Sequence, residues 1–303
     1  AQAIADVPPV LVVGPGENGV QALFGAAGRY VEQPEQLGTG HATMMAKPLL
    51  QGKTELVIVT YGDMPLLQTA TLAQLAQMQG QSRGALTMLA VTGDAASSFG
   101  RVVRDEIGLV QEIVEVAEAQ RRPNTGDLLA ITELNAGVYC FDSEWLWANI
   151  DNLPLRQARS GQEYYLTDMV SIAVKQGRPV EALVVADEDE CLGAGTRQEM
   201  VAVERAFRKR ANEHWMNHGV TLVDPDSVYI DQDVFIGQDT IIWPNTYIQG
   251  NSRIGAACII GPNSIIRNAQ LGARCQVEQA VVENASLLEG TKVAPFTIIN
   301  ENT

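Results

Sequence analysis

Asp63 is the first residue whose type and position could do chemistry. It stands in TYGDMPLL (60–67), directly after the apolar run Leu56 to Val59. Such a run reads as a strand from the middle of a sheet, buried on both faces. A carboxylate at its end is costly unless a partner neutralises it. Two partners suit it: the free N–H groups of a following helix, or a divalent cation. Ligands of parallel α/β sheets bind beyond the carboxyl ends of the strands, and magnesium takes one or two carboxylates with phosphate oxygens and water. Asp63 is therefore a candidate metal ligand. LGTGHA (37–42) is a second candidate. Two glycines around Thr39 at a helix start leave N–H groups free for an anion or a base edge, and the same residues would equally make a helix cap. A third, GPGENG (14–19), fits the dinucleotide pattern G-x-G-x-x-G only weakly. Glu17 would face the pyrophosphate, and no acidic residue closes the next strand at Val31 to Gln33. A strand-to-helix turn is expected there.

Alternating strands and helices must position these groups. Strands are expected at 10–14, 29–33, 56–60, 85–91 and 133–141, with a hairpin made by 101–105 and 108–115. Helices are expected at 19–26, from His41 to 51, at 70–78 and at 164–177. The last places Leu166, Met169, Val170 and Ala173 on one face and stops at Gly177. Apolar strands separated by helices imply an α/β fold with a mostly parallel sheet covered on both faces. One long helix at 198–218 closes at Gly219. Its Arg205, Arg208, Lys209 and Arg210 read as a solvated face.

Beyond Gly219 the texture changes. Isoleucine recurs at 230, 236, 242, 248, 254, 260 and 266, and small residues follow at 234, 240, 246, 252, 258 and 264. Neither helix nor hairpin has a period of six. Short strands on the faces of a triangular solenoid do, with isoleucines inside and small residues at the corners. The rhythm continues less strictly through Leu271, Val277, Leu287, Val293 and Ile299. Cys258 and Cys275 then fall in equivalent slots of neighbouring coils, stacked about 5 Å apart as small core residues.

Composition narrows the function classes. The 303 residues carry a net charge of −15, which speaks against a nucleic-acid or anionic-membrane partner, since both need a basic footprint. The cysteines at 140, 191, 258 and 275 show no metal-ligand spacing and no disulfide framework. No signal peptide or bilayer-length apolar run is evident, so a cytoplasmic protein is expected.

Several blocks carry a family resemblance: VEQPEQLGTGHA (31–42), TYGDMPLL (60–67), SFGRVVRD (98–105), EIVEVAEA (112–119), ELNAGVY (133–139) and GQEYYLTDMV (161–170). With the hexapeptide repeats, they resemble the bacterial bifunctional N-acetylglucosamine-1-phosphate uridylyltransferase/glucosamine-1-phosphate acetyltransferases, from about residue 9 to the end. The resemblance implies a Rossmann-like nucleotidyltransferase domain over 1–197, a linker helix over 198–218 and a left-handed parallel β-helix over 219–303. It implies that Gln33, Gly38 and Thr39 hold the uracil end of UTP, that Tyr61 and Gly62 line the nucleotide site, and that Asp63 binds Mg2+ as the catalytic carboxylate. Gly100, Glu115, Asn135, Tyr165 and Thr167 would contact N-acetylglucosamine 1-phosphate. The implied products are UDP-N-acetylglucosamine, a peptidoglycan precursor for cell wall biogenesis, and pyrophosphate. A homotrimer through the β-helix is also implied.

Three departures qualify this expectation. The family opens with a strand and a glycine-rich loop bearing arginine and lysine, and nothing of the kind precedes Val10. The sequence is thus expected to be part of a longer reading frame and inactive as it stands. Gly195 occupies the place of an asparagine that serves the family as a second magnesium ligand. The family's acetyl transfer uses a histidine on later coils, whereas His41, His214 and His218 all precede the repeats, so that chemistry is not expected in this segment. An alternative follows: a catalytically inactive subunit that still binds a sugar nucleotide.

Overall fold

The computed structural model describes residues 7–94, 99–157 and 161–300; Ser98, which opens one of the blocks above, lies outside them. The chain divides into two units, Ala1–Ala194 and Gly195–Thr303. In the first, β1 (Val10–Val13) and β2 (Arg29–Glu32) pair in parallel as a separate two-stranded sheet. Between them lie the GPGENG turn and α1 (Gly19–Phe24). The Glu17 carboxylate accepts from the N–H groups of Gly19 (2.6 Å) and Val20 (3.2 Å). A side-chain anion already occupies that helix start, so the motif is a strand-to-helix turn.

The elements that follow are α2 (Gly38–Leu50), β3 (Leu56–Val59), α3 (Thr69–Gln81), β4 (Leu86–Thr92), β5 (Arg101–Arg104) and β6 (Val110–Val114). After these come α4 (Val116–Ala119), α5 (Thr125–Leu129), β7 (Glu133–Asp142), α6 (Ser143–Asn149), β8 (Leu155–Gln157), β9 (Gln162–Tyr164), α7 (Asp168–Lys175) and β10 (Val180–Val185). Six strands form the main sheet in the order β10-β4-β7-β5-β6, with β3 also paired to β7. Strands β3, β4, β5 and β10 run one way; β6 and β7 run against them. The sheet is therefore mixed, with more antiparallel than parallel neighbours. Apolar runs report burial on both faces and say nothing of a neighbour's direction.

Alternate residues of the central strands face opposite layers. Leu86, Met88, Tyr139 and Phe141 pack with Leu146, Ile150, Leu166, Met169, Val170 and Ala173 of the α6–α7 side. Leu89, Val91, Val138 and Cys140 pack with Leu72 and Leu75 of α3. The expected buried face of α7 is thus in place, but the helix begins at Asp168, because Gln162–Tyr164 pairs with β8 instead. A three-residue strand is too short to show a period in sequence. The reading of Leu56–Val59 as a central strand also needs correcting. Among the described residues β3 pairs only with β7, and Val57 alone of its four residues is fully buried.

In the second unit, α8 (Arg197–Asn217) starts on a Thr196 hydroxyl that accepts from Glu199 N–H at 3.2 Å. Buried Asn212 donates to the carbonyls of Pro225 (2.7 Å) and Val228 (3.1 Å), which fastens the helix to the first coil. Arg208 lies 4.6 Å over the Tyr229 ring with its side chain mostly covered, so this member of the basic cluster packs rather than standing in solvent. The coils follow as three stacks of short strands, all parallel. Ile230, Ile248 and Ile266 align at intervals of eighteen residues, and Val282 and Ile299 continue the column at sixteen and seventeen. All seven period-six isoleucines are buried, as are Thr240, Thr246, Ser252, Cys258 and Ser264. The hydroxyls of Thr246 and Ser252 donate to the carbonyls of Trp243 (2.7 Å) and Gln249 (2.6 Å), which secures the corners. Cys258 and Cys275 are buried free thiols that donate to Gly272 (3.3 Å) and Leu288 (3.2 Å) carbonyls.

Candidate functional site

The start of α2 is tied to the segment between β9 and α7. Tyr164 N–H donates to the Leu37 carbonyl at 2.8 Å, and Leu166 N–H to the Thr39 hydroxyl at 3.1 Å. Two motifs far apart in sequence are thereby brought into direct contact. Leu37 is the N-cap and offers no side-chain acceptor, so the first-turn N–H groups of α2 are not capped by a side chain. Gln33 braces this turn, donating to the Gly38 carbonyl at 3.1 Å and lying 3.1 Å from His41 Nδ1. His41 stacks on Tyr164 with centroids 6.3 Å apart.

Beyond β3, Tyr61 lays its ring against Gly137, whose φ of +76° and lack of a side chain make room for it. A Cβ at Gly137 would collide with Tyr61 Cε2. Burial raises the Tyr61 pKa, the charges of Glu115 and Asp63 raise it further, and a hydrogen bond with Thr39 opposes the shift. Gly62 is exposed, with open space around it. Asp63 is exposed as well. Its backbone carbonyl accepts from Ala194 N–H at 2.8 Å, while its carboxylate has no hydrogen-bond partner among the described residues. The desolvation argument for a cation at Asp63 therefore fails, and what remains is an accessible carboxylate that no protein group occupies.

On the sheet, the Gly100 carbonyl accepts from Asn135 N–H at 2.8 Å, and a Cβ on Gly100 would lie 3.3 Å from Glu115 Oε1. Asn135 is buried. Tyr165 feels the charge of Glu115, and Thr167 is a half-buried residue whose carbonyl accepts from Val170 N–H at 3.2 Å. Contacts and charge coupling thus join Thr39, Tyr61, Asp63, Gly100, Glu115, Asn135 and Tyr165. Gln33 and Gly38 adjoin them at the helix start. Gly62 and Thr167 adjoin the group in sequence, and among the described residues neither makes a side-chain hydrogen bond to it. Sequence reasoning missed three participants: Gly137; Tyr139, whose hydroxyl lies 3.0 Å from Asn135 Oδ1; and the Arg156–Asp168 pair, bonded twice at 2.6 Å. A glycine inside a buried strand was a usable signal for the first. The ion pair left no trace in spacing.

Glu115 gives this group a pH signature. Burial raises its pKa, like charges on Glu118 and Asp168 add to the rise, and Arg101 opposes it. The folded state therefore holds its proton more tightly than the unfolded chain, and this contribution to stability falls as pH rises above about 4.5. Glu115→Gln should raise Tm more at pH 8 than at pH 4.5. Equal shifts at the two values would dismiss the account.

No group of three or more His, Cys, Asp or Glu side chains able to hold a metal occurs among the described residues. A cation at Asp63 would rest on one carboxylate, water and the oxygens of a bound phosphate, which is a donor set magnesium accepts. Gly195 adds no side-chain ligand.

Residues 19–220 match the model of the family described as Nucleotidyl transferase. The chain belongs to that family. Residues 233–268 of the chain also match Bacterial transferase hexapeptide (six repeats), in agreement with the solenoid. Among curated relatives, the chain is 39% identical to the Bifunctional protein GlmU of Exiguobacterium sibiricum over 96% of its own length and 64% of the relative's. It is 36% identical to the protein of the same name from Enterococcus faecalis, over 95% of its own length and 61% of the relative's. The chain thus spans about three-fifths of the length of the curated relatives it matches. No helix among its described residues is long and apolar enough to cross a membrane.

Proposed function

We propose that this nucleotidyl transferase transfers a uridylyl group from UTP to N-acetylglucosamine 1-phosphate, giving UDP-N-acetylglucosamine and pyrophosphate, in the cytoplasm and with Mg2+. The observation that carries the reading is the Thr39–Leu166 hydrogen bond, which joins LGTGHA to the YYLTD block beside Tyr61, Glu115 and Asn135. In this reading the uncapped first turn of α2 and Gln33 receive the uracil end of the nucleotide. Tyr61 and Gly62 flank the nucleotide, and Gly100, Glu115, Asn135, Tyr165 and Thr167 orient the sugar. The sugar phosphate oxygen forms a bond to the α-phosphorus of UTP, and the α–β bridge breaks as pyrophosphate leaves. The chain supplies alignment and charge neutralisation, with no covalent intermediate. A magnesium ion held by Asp63 and phosphate oxygens would offset the charge that builds on the leaving group.

The test is pyrophosphate release from UTP and N-acetylglucosamine 1-phosphate by the full gene product, with and without EDTA. Metal-dependent release is expected. Gly195 favours one other reading, a sugar-nucleotide-binding subunit without catalysis. Calorimetric binding of UDP-N-acetylglucosamine with no turnover would establish that reading instead. Assembly as a homotrimer is part of the proposal. An outward ladder of Tyr229, Tyr247, Ile265, Val281 and Ile298 runs up one solenoid face and supports it. Sedimentation equilibrium should give three times the chain mass, and a monomer would remove this part.

A further inference from the structure

Asn135 holds a fixed orientation set by two neighbours on its own strand. Its Oδ1 receives two donors, Gly137 N–H at 3.1 Å and the Tyr139 hydroxyl at 3.0 Å. A backbone N–H can only donate, so the atom facing Gly137 must be the carboxamide oxygen. Nδ2 is then turned away from both donors, and no group among the described residues accepts its hydrogens. Tyr139 is fully buried, with its ring against Phe141 at a centroid distance of 5.7 Å. Burial, together with nearby Tyr61 and Glu115, raises its pKa well above the ordinary tyrosine value, so the phenol remains a donor at neutral pH.

We propose that Tyr139 is a positioning residue that, with the Gly137 N–H, locks Asn135 as an obligate hydrogen-bond donor toward the bound sugar phosphate. The site then requires an acceptor oxygen on the ligand opposite Nδ2 and disfavours a ligand that presents only a donor there, because two donors cannot pair. This inference deepens the proposed function and rests on it for the identity of the ligand. The lock itself concerns only three residues of one strand.

Kinetics and spectroscopy together test it on the full gene product. Tyr139→Phe keeps the ring and its packing and leaves Oδ1 one donor, so the fold should hold with little change in Tm. It is expected to raise KM for the sugar phosphate about five- to tenfold, with kcat and the KM for UTP within about twofold. Asn135→Asp retains both acceptor contacts but lacks the amide donor, and should lower kcat/KM for the sugar phosphate about a hundredfold. Adding Tyr139→Phe to Asn135→Asp should then cost less than about twofold more, because the phenol acts through the amide. Additive losses in the double variant, or equal rises in both KM values, would overturn the proposal. An independent readout needs no turnover. The Asn135 side-chain amide signals, assigned by their loss in Asn135→Asp, should shift and exchange with solvent at least about fivefold faster in Tyr139→Phe. Unchanged signals would overturn the lock. Changed signals in a protein that releases no pyrophosphate would uphold the lock and reject only the assigned reaction.

Discussion

Asp63→Asn is expected to lower turnover a hundred- to a thousandfold, roughly 3–4 kcal/mol of transition-state stabilisation, with Tm nearly unchanged. The two halves of this prediction have separate grounds. Asp63 is exposed and its carboxylate bonds to no described group, so removing the charge breaks no protein contact and stability should move by less than about 0.5 kcal/mol. The effect on rate comes from position. Asp63 is close enough to Tyr61 for its charge to raise the phenol's pKa, and Thr39 is close enough to oppose that rise. The carboxylate thus borders the group that joins the α2 start to the sheet, and asparagine there keeps the shape and loses the charge. Pyrophosphate release as a function of magnesium concentration is the measurement. A rate loss that added magnesium partly restores is expected, since the neutral amide still offers an oxygen. Equal rates for variant and parent would remove Asp63 from its role.

How far sequence reached differs between the two units for a physical reason. In the solenoid each coil repeats the same demand on the same slot, so seven isoleucines at period six report the architecture many times over. The register drifts where coils shorten: the interval is seventeen residues at Ile254–Leu271, Ile260–Val277 and Val282–Ile299, and sixteen at Ile266–Val282, Leu271–Leu287 and Val277–Val293. In the α/β unit each strand is stated once. The apolar run at Leu56–Val59 reads as a central strand, which is right about the strand and wrong about its place: among the described residues it pairs only with β7. The inference that a buried strand forces a cation onto Asp63 failed with it. The local pieces of the site were legible as motifs: LGTGHA at a helix start, YGD after a strand, ELNAG within one. What joins them was not. The Arg156–Asp168 pair and the Thr39–Leu166 bond depend on which residues a fold sets side by side, and no sequence period encodes that.

The same repetition makes a column of stacked solenoid glycines exacting positions. Gly237, Gly255 and Gly272 each follow a buried residue of one strand stack, Ile236, Ile254 and Leu271, so they stand one above another. A Cβ on Gly255 would lie 2.5 Å from Ala273 N, 2.7 Å from Gly272 C and 2.8 Å from Ala273 Cα. All three atoms are backbone of the next coil, so no rotamer change relieves the clash. The coils are held at the interstrand spacing by hydrogen bonds such as Gly255 N–H to Leu271 carbonyl, 2.8 Å. Gly255→Ala must therefore lengthen those bonds or tilt a coil, and is expected to destabilise the solenoid by about 1–3 kcal/mol. Gly80 in α3 supplies the contrast. A Cβ there meets nothing nearer than Leu56 Cδ1 at 3.9 Å, so Gly80→Ala should stabilise the first unit by about 0.5–1 kcal/mol through helix propensity. Hydrogen exchange read by mass spectrometry separates the two effects. Gly255→Ala should deprotect peptides covering 246–277 and leave those of 86–92 unchanged, while Gly80→Ala should slow exchange in 69–81. If alanine at 255 leaves the coil amides as protected as before, the backbones are not in contact there, and the tight stacking inferred from the register is wrong.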